Sequence, residues 1–118
     1  MFTQPKLSDK DALHHEKMVL GTVMFDPSNV IHAARALSPA FFRDSRHRII
    51  FGAIMALHRS YTPINVVNVA NSLVARKALS VVGGAAYLAE LVAYAKQQAQ
   101  AHHDAAIRAG VQQAGGKV

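Results

Sequence analysis

Cysteine and tryptophan are absent from this chain of 118 residues, and acidic residues are scarce: seven against thirteen lysines and arginines. Without cysteine there is no disulfide framework, no thiolate nucleophile and no cysteine-containing zinc site. No apolar run approaches the length of about 18 residues that a membrane span requires. The N-terminus, MFTQPKLSDKD, turns charged at once and has no apolar region of a secretory signal. These features fit a cytoplasmic protein with no membrane partner. No G-x-S-x-G elbow occurs. The C-terminal run Val111–Val118 superficially resembles a phosphate-binding loop, but Val111 stands where that loop needs glycine and Val118 where it needs the hydroxyl that meets magnesium.

What is present is apolar and basic. Hydrophobic residues make up 51% of the sequence, enough for one small compact domain with little stability margin. The formal net charge is +6, which favours polyanionic or acidic partners. The densest basic group is Arg43, Arg46, His47 and Arg48. It reads either as a solvated helix start with an Asp44–Arg48 pair one turn apart, or as a nucleic-acid or acidic-partner patch.

Seven histidines raise a metal site as a question. His14–His15 and His102–His103 are adjacent pairs that diverge around a helix, and no two histidines sit three or four residues apart, so a metal site is not expected. The carboxylates are Asp9, Asp11, Glu16, Asp26, Asp44, Glu90 and Asp104. Most sit where helix starts favour negative charge, and none forms an acid/base pair in sequence. No catalytic residue, metal ligand or cofactor-binding residue is expected, and the residues point to an all-α interaction domain.

The chain is organised around Phe41–Leu57, FFRDSRHRIIFGAIMAL. Asp44 or Ser45 can cap a helix from Ser45 to Ser60. His47, Ile50, Phe51, Ile54, Leu57, His58 and Tyr61 then fall on one face, with Ile49, Ala53 and Ala56 beside it and Arg48, Gly52, Met55 and Arg59 on a partly polar line. His47 and His58 read as hydrogen-bonded core or interface groups. Upstream, Ser8 or Asp9 caps a helix to about Phe25, with Leu13, Glu16, Leu20, Val23 and Met24 inward. Gly21 in its middle suggests a close helix–helix approach. Asp26–Pro27 starts a second helix to Leu37. Downstream, Asn65 caps a helix from Val66 to Lys77, Ala78–Val82 is a short apolar connection, and Gly83–Gly84 is a turn. A last helix begins at Ala85 with Tyr87, Leu88, Leu91, Val92 and Ala95 as its stripe. Gly110, Gly115 and Gly116 end regular structure, and the last eight or so residues are expected to be disordered.

From His14 to Leu91 the chain resembles the N-terminal domain of DnaB-type replicative DNA helicases. The segments that carry the resemblance are HHEKMVLGTVMFDPSNV, LSPAFFRDSRHRIIFGAIMAL and YTPINVVNVANSLVARKALSVVGGAAYLAEL. They match the family's A-E-x-x-V-L-G start, D-F-Y…H-R-x-I-F-x-A-I-x-x-L middle, P-I-D-x-V-T-L connector and V-G-G-x-x-Y-L-x-x-L ending. The family's aspartate in P-I-D is Asn65 here, and its tyrosine of F-Y is Phe42.

The resemblance implies a compact orthogonal bundle of about five to six helices. The expected layout is a flexible arm over 1–7, a helicase-head domain over 8–96, and a helical extension ending in a disordered tail over 97–118. It also implies partners: further copies of itself in the collar of a ring, a primase, and a helicase loader or host helicase. ATP and magnesium belong to the family's ATPase domain, which this chain lacks. The N-terminus looks complete and the tail unusual, which fits a stand-alone phage or mobile-element homologue acting on a host helicase, with the excised head of a longer helicase as the alternative. A DNA-binding module is a further reading, suggested only by charge. Helix geometry makes Arg46, Arg48, Ile49, Ala53, Ala56 and Arg59, on the secondary faces of the central helix, the candidate partner-contact residues. A mixed apolar and basic strip suits a partner helix with acidic edges.

Overall fold

The computed structural model describes residues 9–26, 28 and 30–115, with side chains described from 10 to 99 except at 27, 29, 32, 33, 36 and 39. The expected N-terminal arm, the Ser8 cap, the Pro27 helix start and residues 116–118 lie outside the described residues. Within them every regular element is helical: α1 (Asp9–Phe25), α2 (Val30–Ala36), a 3₁₀ turn (Pro39–Phe41), α3 (Ser45–Arg59), α4 (Val66–Ala75), α5 (Leu79–Val82) and α6 (Gly84–Gly115).

The all-α expectation holds, and the helix ends show why. Asp44 is extended and its side chain accepts from the Arg46 N–H at 2.9 Å, which stops chain entering from Phe42 from continuing as helix and starts α3. Asn65 does the same for α4, accepting from Asn68 N–H at 2.8 Å while Asn68 Nδ2 donates to the Pro63 carbonyl. That double tether makes a helix of the valine-rich run Val66–Val69, whose β-branched side chains alone would favour a strand. Gly83, at φ 106, closes α5 in the left-handed conformation that glycine takes without cost. Among the described residues the second α-helix is Val30–Ala36, and Asp26 accepts the Ser28 hydroxyl at 2.6 Å; α4 ends at Ala75 rather than Lys77. The last helix runs through Gly110 to Gly115, because an isolated glycine weakens a helix by only about 1 kcal/mol when its neighbours are good helix formers.

One core holds the bundle. Leu20, Val23 and Met24 of α1 meet Phe42, Ile50, Phe51, Ala53, Ile54 and Leu57, which in turn pack on Ile64, Val69, Leu73, Val82, Leu88 and Leu91. Each fully buried leucine or isoleucine here contributes about 1.5–3 kcal/mol of transfer free energy. Phe42 and Phe51 pack with ring centroids 5.0 Å apart. α1 and α6 pack closely at Gly21, where an added Cβ would stand 2.7 Å from the Ala95 Cβ and 2.8 Å from the Leu91 carbonyl carbon. The expected close approach at this glycine is therefore what the structure contains.

Three sequence expectations of facing change. Leu13 is 37% exposed while Ala12 is buried, although Leu13 lies within about 20° of Leu20 and Met24 around the helix; it sits in the first turns of α1, where it borders open surface. Tyr61 leaves the inner face entirely: α3 ends at Arg59, and Tyr61 adopts φ 56 with its side chain 96% exposed. Ala53, expected on a secondary face, is fully enclosed in the core.

Candidate interaction surface

The frame of the surface is a buried polar cluster. Glu16 of α1 and His47 of α3 are both enclosed, at 1% and 0% exposure. The Glu16 carboxylate accepts the Arg43 N–H at 2.9 Å and the Asp44 N–H at 3.2 Å, so it ties the turn before α3 to α1. An acceptor of two backbone N–H groups is the ionised form, and it takes a third donor from His47 Nδ1 at 2.7 Å. The other ring nitrogen, Nε2, hydrogen-bonds the Tyr87 hydroxyl at 2.6 Å. The planes of the two rings are nearly parallel, 6° apart. Burial is the main cause of a Tyr87 phenol pKa above its ordinary value, so the hydroxyl keeps its proton. Among the described residues no buried side-chain polar atom lacks a partner. A cluster this enclosed has no path for a substrate, so it braces the fold. The sequence reading of His47 as a hydrogen-bonded core group agrees with this.

Of the six candidate contact residues, four remain at or near the surface and two are engaged or enclosed. Arg46 is committed: its guanidinium donates to both Asp44 oxygens, with Nη2 at 2.8 Å, and lies 4.5 Å from the centroid of the Tyr87 ring. The Arg46 hydrogen bonds hold the Asp44 carboxyl down at about pKa 2, from 3.8. This replaces the expected Asp44–Arg48 pair, because the capping geometry turns the Asp44 carboxylate back over the first turn; Arg48 instead donates to the Arg43 carbonyl at 3.2 Å. Ala53 is enclosed in the core and offers a partner nothing. Ile49 is partly buried and packs on the core, Ala56 is half-buried, and Arg48 and Arg59 are exposed.

A second exposed region was not anticipated from the sequence. The outer side of α1 forms an open groove of about 490 Å³ lined by Lys10, Asp11, Leu13, His14, Lys17 and Tyr94. His14 Nδ1 hydrogen-bonds the Tyr94 hydroxyl, and Lys17 sits 5.3 Å from the centre of the same ring. Phe41 borders the next depression along α1 with His14, His15, Met18 and Val19. No spacing signal marks this region, since Leu13 shares the helical face of Leu20 and Met24. Among the described residues no group of three or more histidines or carboxylates is placed to hold a metal ion, and no helix is long and apolar enough to cross a membrane.

Residues 8–107 match the family model described as the DnaB-like helicase N terminal domain. The chain is 34% identical over 80 residues to the replicative DNA helicase DnaB of Geobacillus stearothermophilus, covering 68% of this chain and 18% of that protein. It is 31% identical over 96 residues to the replicative DNA helicase DnaB of Rhodothermus marinus, covering 81% of this chain and 10% of that protein. The chain thus spans less than a fifth of the length of these curated relatives. Among solved structures, the N-terminal domain of DnaB helicase from Mycobacterium tuberculosis superposes with a TM-score of 0.69 at 30% identity, over 77% of this chain and 60% of that one. Sequence and fold agree, and the chain belongs to the DnaB-like helicase N-terminal domain family.

Proposed function

We propose that this chain is a protein-interaction module of bacterial or phage DNA replication, which self-associates and engages a primase or helicase loader. The observation that carries the reading is the match over 8–107 to the head domain of replicative helicases, with the same fold. The form of α6 supports self-association. Among the residues whose side chains are described, the last core residue is Ala95 and residues 96–99 are exposed; the helix continues to Gly115. Those twenty or so residues extend about 30 Å at 1.5 Å per residue. Residues 96–99, exposed on a helix of 32 residues, offer a second copy a surface to pack against. The module works in the cytoplasm and needs no ATP of its own.

Light scattering behind size exclusion tests the first half. The full chain is expected to run as a dimer or larger, and a chain ending at Lys96 as a monomer. Titration with a bacterial primase tests the second half, with binding expected. A monomeric full chain that leaves primase unbound would overturn the proposal. Adding the chain to an intact helicase–primase assay separates a ring component from a factor that acts on another helicase, since only the latter alters priming in trans.

A further inference from the structure

Residues 45–89 contain no aspartate or glutamate, yet hold Arg46, Arg48, Arg59, Arg76 and Lys77. α3, α4 and α5 therefore form a side of the molecule with charge of one sign. Arg46 is neutralised by Asp44. Arg48, Arg59 and Arg76 are exposed and have no carboxylate partner among the described residues.

The fold brings these three arginines into line. Arg48, Gly52 and Arg59 follow one strip of α3. Arg76, at the C-terminal cap of α4, reaches across so that its Nη1 lies 3.6 Å from the point where a Gly52 Cβ would stand. The missing side chain at Gly52 thus opens the place that the Arg76 guanidinium occupies. The row from residue 48 to residue 59 spans about 16 Å of helix. At its C-terminal end stands Tyr61, held at φ 56 and 96% exposed. A left-handed φ is unfavourable for a tyrosine, and the ring makes no use of its position within the fold.

We propose that the arginine row Arg48–Arg76–Arg59 and the Tyr61 ring form a binding site for single-stranded nucleic acid, with phosphates on the guanidinium groups and a base stacked on the tyrosine. This goes beyond the protein-interaction reading and does not depend on it. A protein partner needs an apolar centre to its interface. The apolar neighbours of the row on its own helix, Ile49 and Met55, pack against the core, and the exposed Val67, Val74 and Val81 lie on α4 and α5, so the α3 strip itself presents guanidinium groups and one aromatic face. That combination matches a phosphate backbone with unstacked bases, and a duplex would leave the ring unused.

Fluorescence anisotropy of a labelled oligothymidylate with the full chain tests the site. Three phosphate contacts predict that affinity falls about 20-fold between about 50 and about 200 mM salt. The triple substitution R48Q/R59Q/R76Q is expected to weaken binding at least 10-fold and to flatten that salt dependence. Tyr61→Gly, which accepts the left-handed backbone and so keeps the fold, is expected to weaken binding about 5- to 150-fold. Lys10→Gln with Lys17→Gln, on the α1 groove, is expected to change nothing. The proposal is overturned if the oligonucleotide does not bind at low salt, or if duplex binds as well as single strand and Tyr61→Gly has no effect. It is equally overturned if the lysine pair weakens binding as much as the arginine triple, or if polyglutamate occupies the row and the oligonucleotide does not.

Discussion

Glu16 and His47, 31 residues apart, meet at 2.7 Å in the interior between α1 and α3, and the same carboxylate accepts the backbone N–H groups of Arg43 and Asp44. The pair fixes where the central helix begins relative to the first. Replacing Glu16 by alanine leaves one buried and two partly buried donors without this acceptor. Loss of one partner of a buried charged cluster typically costs about 3–5 kcal/mol. Glu16→Ala is expected to lose about 3 kcal/mol in urea unfolding followed by circular dichroism. Tyr87→Phe, which removes one hydroxyl from His47 Nε2, is expected to lose about 1 kcal/mol. A Glu16→Ala protein within half a kcal/mol of the parent would show that the cluster is not the brace described.

Asp44 links the helix cap to pH. Its carboxyl titrates at about 2 in the fold against 3.8 ordinarily, first because of the Arg46 side-chain hydrogen bonds. A depressed carboxylate contributes stability that is fully present above its unfolded pKa and is lost as pH falls through the folded one. The contribution is therefore intact above about pH 4 and disappears between about pH 4 and pH 2. Arg46 is 41% exposed, so solvent screening reduces the effect to about 1–2 kcal/mol. Asp44→Asn retains a capping oxygen but not the charge. The difference in urea midpoint between the two proteins is expected to be constant at pH 5–7 and to vanish by about pH 2. A difference that persists unchanged to pH 2 would contradict this assignment.

Gly21 sets the distance between α1 and α6. A methyl group there meets the Leu91 carbonyl carbon and the Ala95 Cβ at 2.8 and 2.7 Å, and one of those partners is backbone. Gly21→Ala raises intrinsic helix propensity by about 1 kcal/mol, yet overpacking costs about 1–3 kcal/mol and more when backbone must move. The net expected outcome is destabilisation, seen as a lower melting temperature in calorimetry. A gain in stability would mean that the two helices separate freely.

Tyr61 offers the opposite sign. Glycine accepts φ 56, whereas an L side chain loses about 1–2 kcal/mol there. Tyr61→Gly removes no buried contact and is expected to stabilise the fold by about 1 kcal/mol, measured by the same urea series. Neutral or negative change would show that the ring contributes to the folded state.

The longer helices and their order were legible in the sequence because they rest on local chemistry, whereas the run Ala78–Val82, expected as a connection, holds the short helix Leu79–Val82. Asp44 and Asn65 read as caps and act as caps; Gly83 reads as a turn and takes the positive φ a turn needs. The inner line of α3 from His47 to Leu57 followed from spacing alone. What spacing could not decide was which neighbouring line wins when two are apolar. Leu13 shares the helical face of the buried Leu20 and Met24 yet is exposed, because what covers each turn of α1 is set by residues of α3 and α6 distant in sequence. Ala53 went to the core because α3 is covered on two sides. The pairing of Asp44 with Arg46 rather than Arg48 came from the extended backbone at the cap. The alignment of Arg76 with Arg48 and Arg59 is likewise invisible in sequence, since it joins the end of one helix to a glycine on another. Sequence alone determined the elements, their boundaries within a few residues and the family, because caps, turns and periodicity act over one or two turns of chain. The tertiary structure decided facing, charge pairing and the composition of the exposed surface, because those depend on which distant side chains occupy the same space.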